Sequence, residues 1–235
     1  RPLALEESPP PVPFQREICV KGIRFHYPGI AEDVLAGVDF RVPKGSFVGI
    51  VGPSGAGKTT FVDILLGLLP PTEGAILVDG TDVRQDIRAW QANLAYVPQS
   101  IYLVDASIRE NVALGESPDA IDDARIRKAL EMAELTEFIA AQPKGVETVV
   151  GERGVKLSGG QRQRIGIARA LYQQPNVLIL DEATSALDNE TEKSITRTIL
   201  KLKGQVTIIS IAHRVSTLEE CDFKVRFESG IATVL

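Results

Sequence analysis

The chain has 235 residues, 44% of them hydrophobic and 24% charged, which fits one domain of generous size or a core with a sub-lobe. Its net charge of -5 argues against nucleic-acid binding driven by bulk positive charge, though not against a local basic patch. No apolar run approaches the roughly 20 residues that span a bilayer, and the two cysteines, Cys19 and Cys221, lack metal-site spacing and are expected to be buried, reduced thiols.

The N-terminal segment 1–16, "RPLALEESPPPVPFQR", contains five prolines and no hydrophobic period. Such a composition predicts an extended linker, followed by a domain over 17–235. The chain begins at Arg1, and its one methionine is Met132. We therefore expect a piece of a longer protein, in which the linker follows another segment.

Two kinds of apolar pattern follow along the chain. The stretches "ICVKGIRFHY" and "VLAGVDFRVPKG" alternate, with a one-residue slip in the first, and "GAILVDG" adds a short third piece. Alternation predicts antiparallel strands with one buried face. The runs "FVGIV", "VLIL" and "VTIIS" are continuously apolar, which predicts strands of a parallel sheet buried on both faces.

The region from about 105 to 174 has helical spacing. Ile126, Ala129, Leu130 and Ala133 recur at three- and four-residue intervals, and "QRQRIGIARALYQQ" shows the same habit before Pro175. The patterns together predict an α/β fold with a mainly parallel sheet, an N-terminal antiparallel β-subdomain and an inserted α-helical subdomain.

A phosphate-binding loop is predicted between the first continuous apolar run and a helix. Gly52, Gly57, Lys58 and Thr59 have the spacing G-x-x-x-x-G-K-T, which specifies a P-loop NTPase core in this strand–helix context. Glycines let backbone N–H groups point at phosphate oxygens, and the helix N-terminus adds partial positive charge. Lys58 can reach the β- and γ-phosphates, and the Thr59 hydroxyl can ligate Mg²⁺.

Two acidic residues end the run "NVLILDE". Strand ends of a parallel sheet lie near the P-loop crevice, so Asp181 is predicted to hold Mg²⁺, directly or through water. Glu182, one residue on, is predicted to polarise a water for attack on the γ-phosphate. The alternative interpretation is a pair of solvated acids. No N-K-x-D sequence is present, which disfavours a GTPase.

Six motifs in order, "GPSGAGKTT", "YVPQ", "LSGGQ", "LILDE", "SALD" and "AHR", make residues 17–230 resemble the nucleotide-binding domain of ABC (ATP-binding cassette) transporters. The resemblance implies ATP and Mg²⁺ as cofactors. It implies roles for Tyr27 in stacking on adenine, Gln99 in contacting Mg²⁺ and the attacking water, and His213 in contacting the γ-phosphate. Alone, Tyr27 would suggest a core aromatic and His213 a structural histidine. The implied ATP-binding set is Tyr27, Gly52, Pro53, Ser54, Gly55, Ala56, Gly57, Lys58, Thr59, Thr60 and Gln99, with Thr59, Gln99 and Asp181 at the metal and Lys58, Gln99, Glu182 and His213 in catalysis.

The "LSGGQ" turn implies a partner, because in this family it closes over ATP held by the P-loop of another subunit. The residues implied to act in trans are Ser158, Gly159, Gly160, Gln161 and Asp188. Glycines admit a phosphate close to the backbone, and the helix that begins there offers its positive end. We therefore expect a second copy of the domain, most simply in a homodimer, and no nucleic acid partner.

Exporter-type half-transporters are the subgroup that the chain resembles, through Gly151–Gly154 in "GERGVKLSGGQ" and through "EATSALDNETEKSI" and "IAHRVSTLEECD". This implies an absent transmembrane domain before the linker, a place on the cytoplasmic face of a membrane (the bacterial inner membrane), and ATP-driven export. "DILLGLLPPTEGAILVDG" and "SIYLVDASIRENVALG" resemble flippases for lipid-linked oligosaccharides and polysaccharides. The alternatives are a non-transport ABC ATPase acting on DNA or ribosomes, and a cassette that binds ATP without hydrolysis. The end, "FKVRFESGIATVL", departs from the family pattern.

Overall fold

The computed structural model describes residues 9–181, 188–211 and 220–235. In chain order its strands and α-helices are β1 (Glu17–Phe25), β2 (Leu35–Pro43), β3 (Phe47–Val51), α1 (Lys58–Leu65), β4 (Glu73–Val78), β5 (Thr81–Asp82), α2 (Ile87–Gln91), β6 (Leu94–Val97), α3 (Ile108–Val112), α4 (Asp123–Met132), α5 (Thr136–Ala140), α6 (Gly159–Tyr172), β7 (Val177–Asp181), α7 (Asn189–Leu202), β8 (Thr207–Ile211), β9 (Phe223–Glu228) and β10 (Ile231–Val234). None of the helices within these ranges combines the length and the apolar character needed to cross a membrane.

The N-terminal strands form an antiparallel sheet in the order β2-β1-β4-β5. The predicted one-residue slip in β1 is a register shift between Val20 and Ile23 in its pairing with β2. Gly22 sits inside the shift at φ 58°, a left-handed conformation that suits glycine. The slip keeps the apolar side chains on both sides of the irregularity directed at the core.

The second sheet has six strands in the order β10-β9-β3-β8-β7-β6. Its neighbouring strands pair in parallel, apart from the antiparallel β9–β10 hairpin. The three continuous apolar runs are β3, β7 and β8, as predicted. The two sheets and their arrangement confirm the predicted α/β fold with an antiparallel β-subdomain. The parallel strand β6 was not predicted.

Two hydrophobic clusters explain why the central strands are apolar at every position. Leu178 and Leu180 of β7 pack into a cluster with the helical region, whereas Val177 and Ile179 pack into a cluster shared with the antiparallel sheet. All four side chains are fully buried. A strand covered on both faces loses the alternation that an exposed face imposes.

Four helices, α3 to α6, lie in the region predicted to be helical, and Glu134 ties this region to α7. Its carboxylate accepts hydrogen bonds from Arg164 on α6, at 3.0 Å, and from Thr198 on α7, at 2.6 Å, and it pairs with Lys201. Burial alone would raise the pKa of Glu134, but the hydrogen bonds from Lys201, Thr198 and Arg164 outweigh it and lower the pKa to about 2. Helices α6 and α7 thus meet at one ionised carboxylate, which lies in the turn between α4 and α5.

The segment that precedes β1 packs against the domain. Phe14 is 5% exposed and belongs to the cluster between the sheets. The Asp79 carboxylate accepts hydrogen bonds from the backbone N–H groups of residues 15, 16 and 17. The Asn93 amide donates to the carbonyl of Val12 at 3.0 Å. Residues 9–16 lie outside the helices and strands and are fixed to the domain by these contacts. The extended linker and its boundary at residue 17 stay predictions.

The C-terminal stretch that departs from the family pattern forms the β9–β10 hairpin. Val225 and Phe227 of β9 are fully buried, and β9 pairs in parallel with β3, the strand that leads into the phosphate loop. The unusual sequence therefore still supplies a strand of the main sheet.

Candidate functional site

The phosphate loop runs from the end of β3 to the start of α1 and is shaped by glycines. Gly52 has φ 145° and Gly57 has φ 96°, backbone conformations that other residues rarely adopt. A Cβ at Gly52 would overlap the carbonyl oxygen of Phe227, and one at Gly57 would lie 2.9 Å from the carbonyl oxygen of Val34. The loop is thus held between the C-terminal hairpin and the antiparallel sheet.

Lys58 begins α1 and folds back into the loop. Its side chain is 7% exposed, and Nζ donates hydrogen bonds to the carbonyl oxygens of Gly52 at 2.7 Å and Pro53 at 2.8 Å. A buried ammonium group needs such partners, because removing a charge from water is costly. The contacts place a positive charge inside the curl of the backbone, where an anion can approach it.

An open pocket of about 200 Å³ joins the loop to the end of β7. Its lining residues are Val34, Ser54, Gly55, Gly57, Lys58, Thr59, Thr60, Asp181 and Ile211. Gly52 and Pro53 belong to the same loop through the Lys58 contacts, and Ala56 is buried beneath it. The structure thus brings together the predicted P-loop residues and Asp181, which are far apart in sequence.

Tyr27 lies beside α1. Its ring is 39% exposed and meets the ring of Phe25 edge to face, with centroids 5.0 Å apart. Its hydroxyl oxygen is 3.2 Å from Oγ1 of Thr60, within hydrogen-bonding distance. An exposed aromatic face held at the margin of the phosphate loop is suited to stacking on a planar base.

Acidic groups converge at the end of β7. Asp181 Oδ2 accepts a hydrogen bond of 2.7 Å from the hydroxyl of Tyr96 on the neighbouring strand β6. Burial, and secondly the negative charge of Asp181, raise the pKa of Asp63 on α1. Burial, together with the hydrogen bond to Asp181, also raises the pKa of Tyr96. Tyr96 and Asp63 were not among the predicted residues, although Tyr96 is the first residue of "YVPQ" and the outward-facing member of a short strand.

These groups fit a divalent cation. Asp181 and Thr59 offer oxygen ligands at the same pocket, and Mg²⁺ prefers oxygen. The like charge of Asp63 near Asp181 is the kind of repulsion that a bound cation relieves. Gln99 is exposed two residues beyond β6, the strand beside β7. Glu182 and His213, and the side chain of Glu152, lie outside the described part of the chain.

The "LSGGQ" turn is the N-terminus of α6. Ser158 is the N-cap: its Oγ accepts a hydrogen bond from the Gln161 N–H at 3.2 Å, and Gln161 Oε1 accepts one from the Ser158 N–H at 2.9 Å. This reciprocal pair is a capping box. Ser158 is exposed, and Gly159 and Gly160 form the first helical turn. The Gln161 side chain therefore shapes the turn, which spacing alone had not revealed.

The turn is joined to Asp188 through Thr191. A Cβ at Gly160 would lie 2.6 Å from Cγ2 of Thr191 on α7. The Thr191 hydroxyl donates to Asp188 Oδ2 at 2.6 Å, and Asp188 Oδ1 accepts from the Thr191 N–H at 3.0 Å. These hydrogen bonds hold the pKa of Asp188 below its ordinary value. Two residues predicted to act in trans, Gly160 and Asp188, are thus in one packed unit.

Comparison with known proteins agrees with the motifs. A family model described as ABC transporter matches residues 35–185. The chain is 43% identical over 215 residues to an ATP-dependent lipid A-core flippase of Burkholderia orbicola (strain AU 1054), covering 91% of this chain and 36% of that protein. It is 46% identical over 219 residues to the heterocyst differentiation ATP-binding protein HepA of Nostoc sp. (strain PCC 7120 / SAG 25.82 / UTEX 2576), covering 92% of this chain and 35% of that protein.

A solved structure described as a bacterial Atm1-family ABC exporter with ATP bound superposes with a TM-score of 0.83 at 39% identity. The match covers 98% of this chain and 40% of that one. The chain thus spans little more than a third of the length of the two curated relatives. The resemblance inferred from the motifs is confirmed: the chain belongs to the ABC transporter family and is an ATP-binding domain of that family.

Proposed function

We propose that this domain is the ATP-hydrolysing motor of an exporter-type ABC transporter, in which two copies close over two ATP molecules and hydrolysis separates them. The observation that carries the proposal is the pocket where Lys58, Thr59 and Asp181 meet at the ends of β3 and β7. A phosphate-binding loop and an acidic strand end at one crevice are the parts that nucleoside triphosphate hydrolysis requires.

The proposed ATP site uses the loop backbone from Gly52 to Thr60 for the phosphates. The Lys58 ammonium exchanges its carbonyl contacts for β- and γ-phosphate oxygens, and Tyr27 stacks on the adenine. The open space beside Ser54 and Gly55 supports this arrangement, because no Cβ at position 55 separates the backbone from the pocket.

Hydrolysis is proposed to proceed by in-line attack of water on the γ-phosphate. Mg²⁺, when bound, neutralises charge on the phosphates, and Thr59, Asp181 and Gln99 would hold it. Glu182 orients the attacking water and accepts its proton at the carboxylate, while His213 donates a hydrogen bond to the γ-phosphate. These last two roles rest on the motif resemblance.

The second phosphate clamp is proposed to come from the partner copy. The exposed cap at Ser158 and the adjoining N–H groups of Gly159 and Gly160 offer hydrogen-bond donors and the positive end of a 14-residue helix. Gln161 holds the cap closed, and Asp188 lies in the same packed unit. One chain therefore carries both a phosphate loop and an "LSGGQ" turn, but each completes an ATP site only with the other element of a second copy.

The whole protein is proposed to carry a membrane domain that precedes the linker 1–16 and to work at the cytoplasmic face of a bacterial inner membrane. A lipid-linked saccharide is the proposed cargo class, supported by the lipid A-core flippase relative and by the flippase-like sequence stretches. None of the relatives named above is described as acting on DNA or ribosomes.

Mixing two inactive variants tests the composite site. Lys58→Ala removes the loop cation but keeps the turn, whereas Ser158→Arg blocks the turn but keeps the loop. In an equal mixture, about half of the dimers are mixed, and each has one complete site out of two. Phosphate release should therefore recover to about a quarter of the wild-type rate, provided that the two sites act independently. A mixture as inactive as its components would contradict a site shared between copies.

Trapping the closed dimer is the second test. Glu182→Gln should bind Mg-ATP without turnover and elute as a dimer in gel filtration, whereas Glu182→Gln combined with Lys58→Ala should stay monomeric. A monomer under saturating Mg-ATP would count against ATP-driven dimerisation. Phosphate release no faster in the wild type than in Lys58→Ala would favour a cassette that binds without hydrolysis.

A further inference from the structure

Tyr96 reaches from β6 to the carboxylate that ends the neighbouring strand β7. Its hydroxyl lies 2.7 Å from Asp181 Oδ2, and the two residues are 85 positions apart in sequence. A hydrogen bond from a hydroxyl to a carboxylate is stronger than one between neutral groups. It therefore restrains the rotation of the carboxylate at this strand end.

The register of the sheet places Tyr96 within reach of Asp181. β6 and β7 pair in parallel, with Tyr96 opposite Ile179 and Val97 opposite Leu180, so Asp181 lies two residues ahead of the tyrosine's own register position. Ala95 and Val97 face the interior, and Tyr96 faces outward with 40% exposure. The long phenol ring spans the offset, which a shorter hydroxyl side chain could not do.

We propose that Tyr96 is a positioning residue for the Mg²⁺ site: it holds Asp181 Oδ2, so that the other carboxylate oxygen, Oδ1, serves the cation in the pocket. The inference rests on the proposed function, since it assumes that Asp181 serves the metal. Groups that hydrogen-bond metal ligands typically change metal affinity 10- to 100-fold when removed.

The test uses Tyr96→Phe, which deletes the hydroxyl and keeps the ring. Binding of fluorescent mant-ATP to this chain is measured in EDTA and across a Mg²⁺ titration, with the thermal midpoint recorded alongside. The Mg²⁺ concentration for half-maximal enhancement should rise about tenfold. Affinity in EDTA and the thermal midpoint should stay at wild-type values. Tyr102→Phe, at a tyrosine that is 63% exposed, is the matched control and should leave the titration unchanged.

A double variant separates positioning from a general effect on the sheet. Asp181→Asn alone should raise the Mg²⁺ concentration needed for half-maximal enhancement of mant-ATP binding. Adding Tyr96→Phe should then raise it no further, because the hydroxyl acts through the carboxylate. ATPase activity lost in Tyr96→Phe should return at high Mg²⁺, which would not happen if the substitution had disturbed the sheet.

The outcomes distinguish this inference from the proposed function. Equal Mg²⁺ titrations for wild type and Tyr96→Phe would overturn the role of Tyr96 alone. Weaker mant-ATP binding in EDTA together with a lower thermal midpoint would show a structural role and also overturn it. Wild-type protein that binds mant-ATP without any response to Mg²⁺ would overturn both proposals.

Discussion

The close packing of Gly160, in the "LSGGQ" turn, against Thr191 allows a quantitative prediction. In Gly160→Ala, the new Cβ would stand 2.6 Å from Cγ2 of Thr191, far inside the roughly 3.5–4.0 Å that carbon atoms prefer. Overpacking of this kind costs about 1–3 kcal/mol. Alanine recovers up to about 1 kcal/mol of helix propensity, and less in the first turn. We expect a net loss of about 1–2 kcal/mol in the free energy of unfolding.

The partner substitution is Thr191→Ser, which removes Cγ2 and keeps the hydroxyl that donates to Asp188. In that background, Gly160→Ala should cost little, which gives a coupling of about 1–2 kcal/mol in a double-mutant cycle. Urea unfolding of the four proteins without nucleotide supplies the stabilities. Equal destabilisation by Gly160→Ala in both backgrounds would refute the steric explanation.

The same cycle separates two reasons for glycine at this position. If Gly160 is needed only for helix packing, ATPase activity should return in the double variant together with stability. If it is also needed for close approach of a phosphate, as the resemblance implies, the double variant should be stable and still inactive.

Three further predictions concern stability and reactivity. Phe14→Ala should lower the free energy of unfolding in urea by about 3–5 kcal/mol, with a smaller loss in Phe14→Leu, and an unchanged midpoint would mean that the segment does not pack in solution. Glu134→Gln should lower the free energy of unfolding by about 1–2 kcal/mol at pH 7. Because the folded pKa of Glu134 is lowered from 4.5 to about 2, the stability difference between wild type and variant should be full above pH 4.5 and should narrow as the pH falls toward 2. A stability difference that does not change with pH would contradict the ion-pair argument. Burial raises the pKa of Cys221 to about 11. In the Cys19→Ser variant, where Cys221 is the remaining cysteine, iodoacetamide at pH 8 should therefore alkylate Cys221 about a hundredfold more slowly than a free thiol. Alkylation at the rate of a free thiol would refute this.

The strands that were predicted correctly are those whose sequence pattern reflects their own burial. Val177 to Leu180 are buried on alternating sides against two different clusters, so four apolar residues in a row identify the strand. β6 was missed because it has only four residues and one of them, Tyr96, is exposed. α7 could have been found, since Ile195, Ile199 and Leu202 follow a helical spacing after the N-cap Asp188.

The candidate site likewise has a part that the sequence predicts and a part that it does not. The P-loop is a local structure, so its residues follow from one contiguous motif. The Tyr96–Asp181 hydrogen bond and the capture of residues 15–17 by Asp79 join positions more than 60 residues apart. Such contacts depend on strand order and register, and the residue pattern of a single sequence does not specify either. Proline content predicts an extended segment over residues 1–16, but not that Phe14 packs in the core.

The wall behind Gly52 is made of main chain. The group that excludes a Cβ there is the carbonyl oxygen of Phe227, and every amino acid carries that atom. The phosphate loop therefore depends on the path of β9 rather than on which side chains the strand bears. A hairpin whose sequence departs from the family pattern can support the phosphate loop as well as one that follows it, provided that it keeps its register beside β3. The divergent C-terminal sequence and an intact phosphate loop are consequently compatible, and substitutions in the outward-facing positions of β9 should be neutral for nucleotide binding while a one-residue deletion in the strand should not.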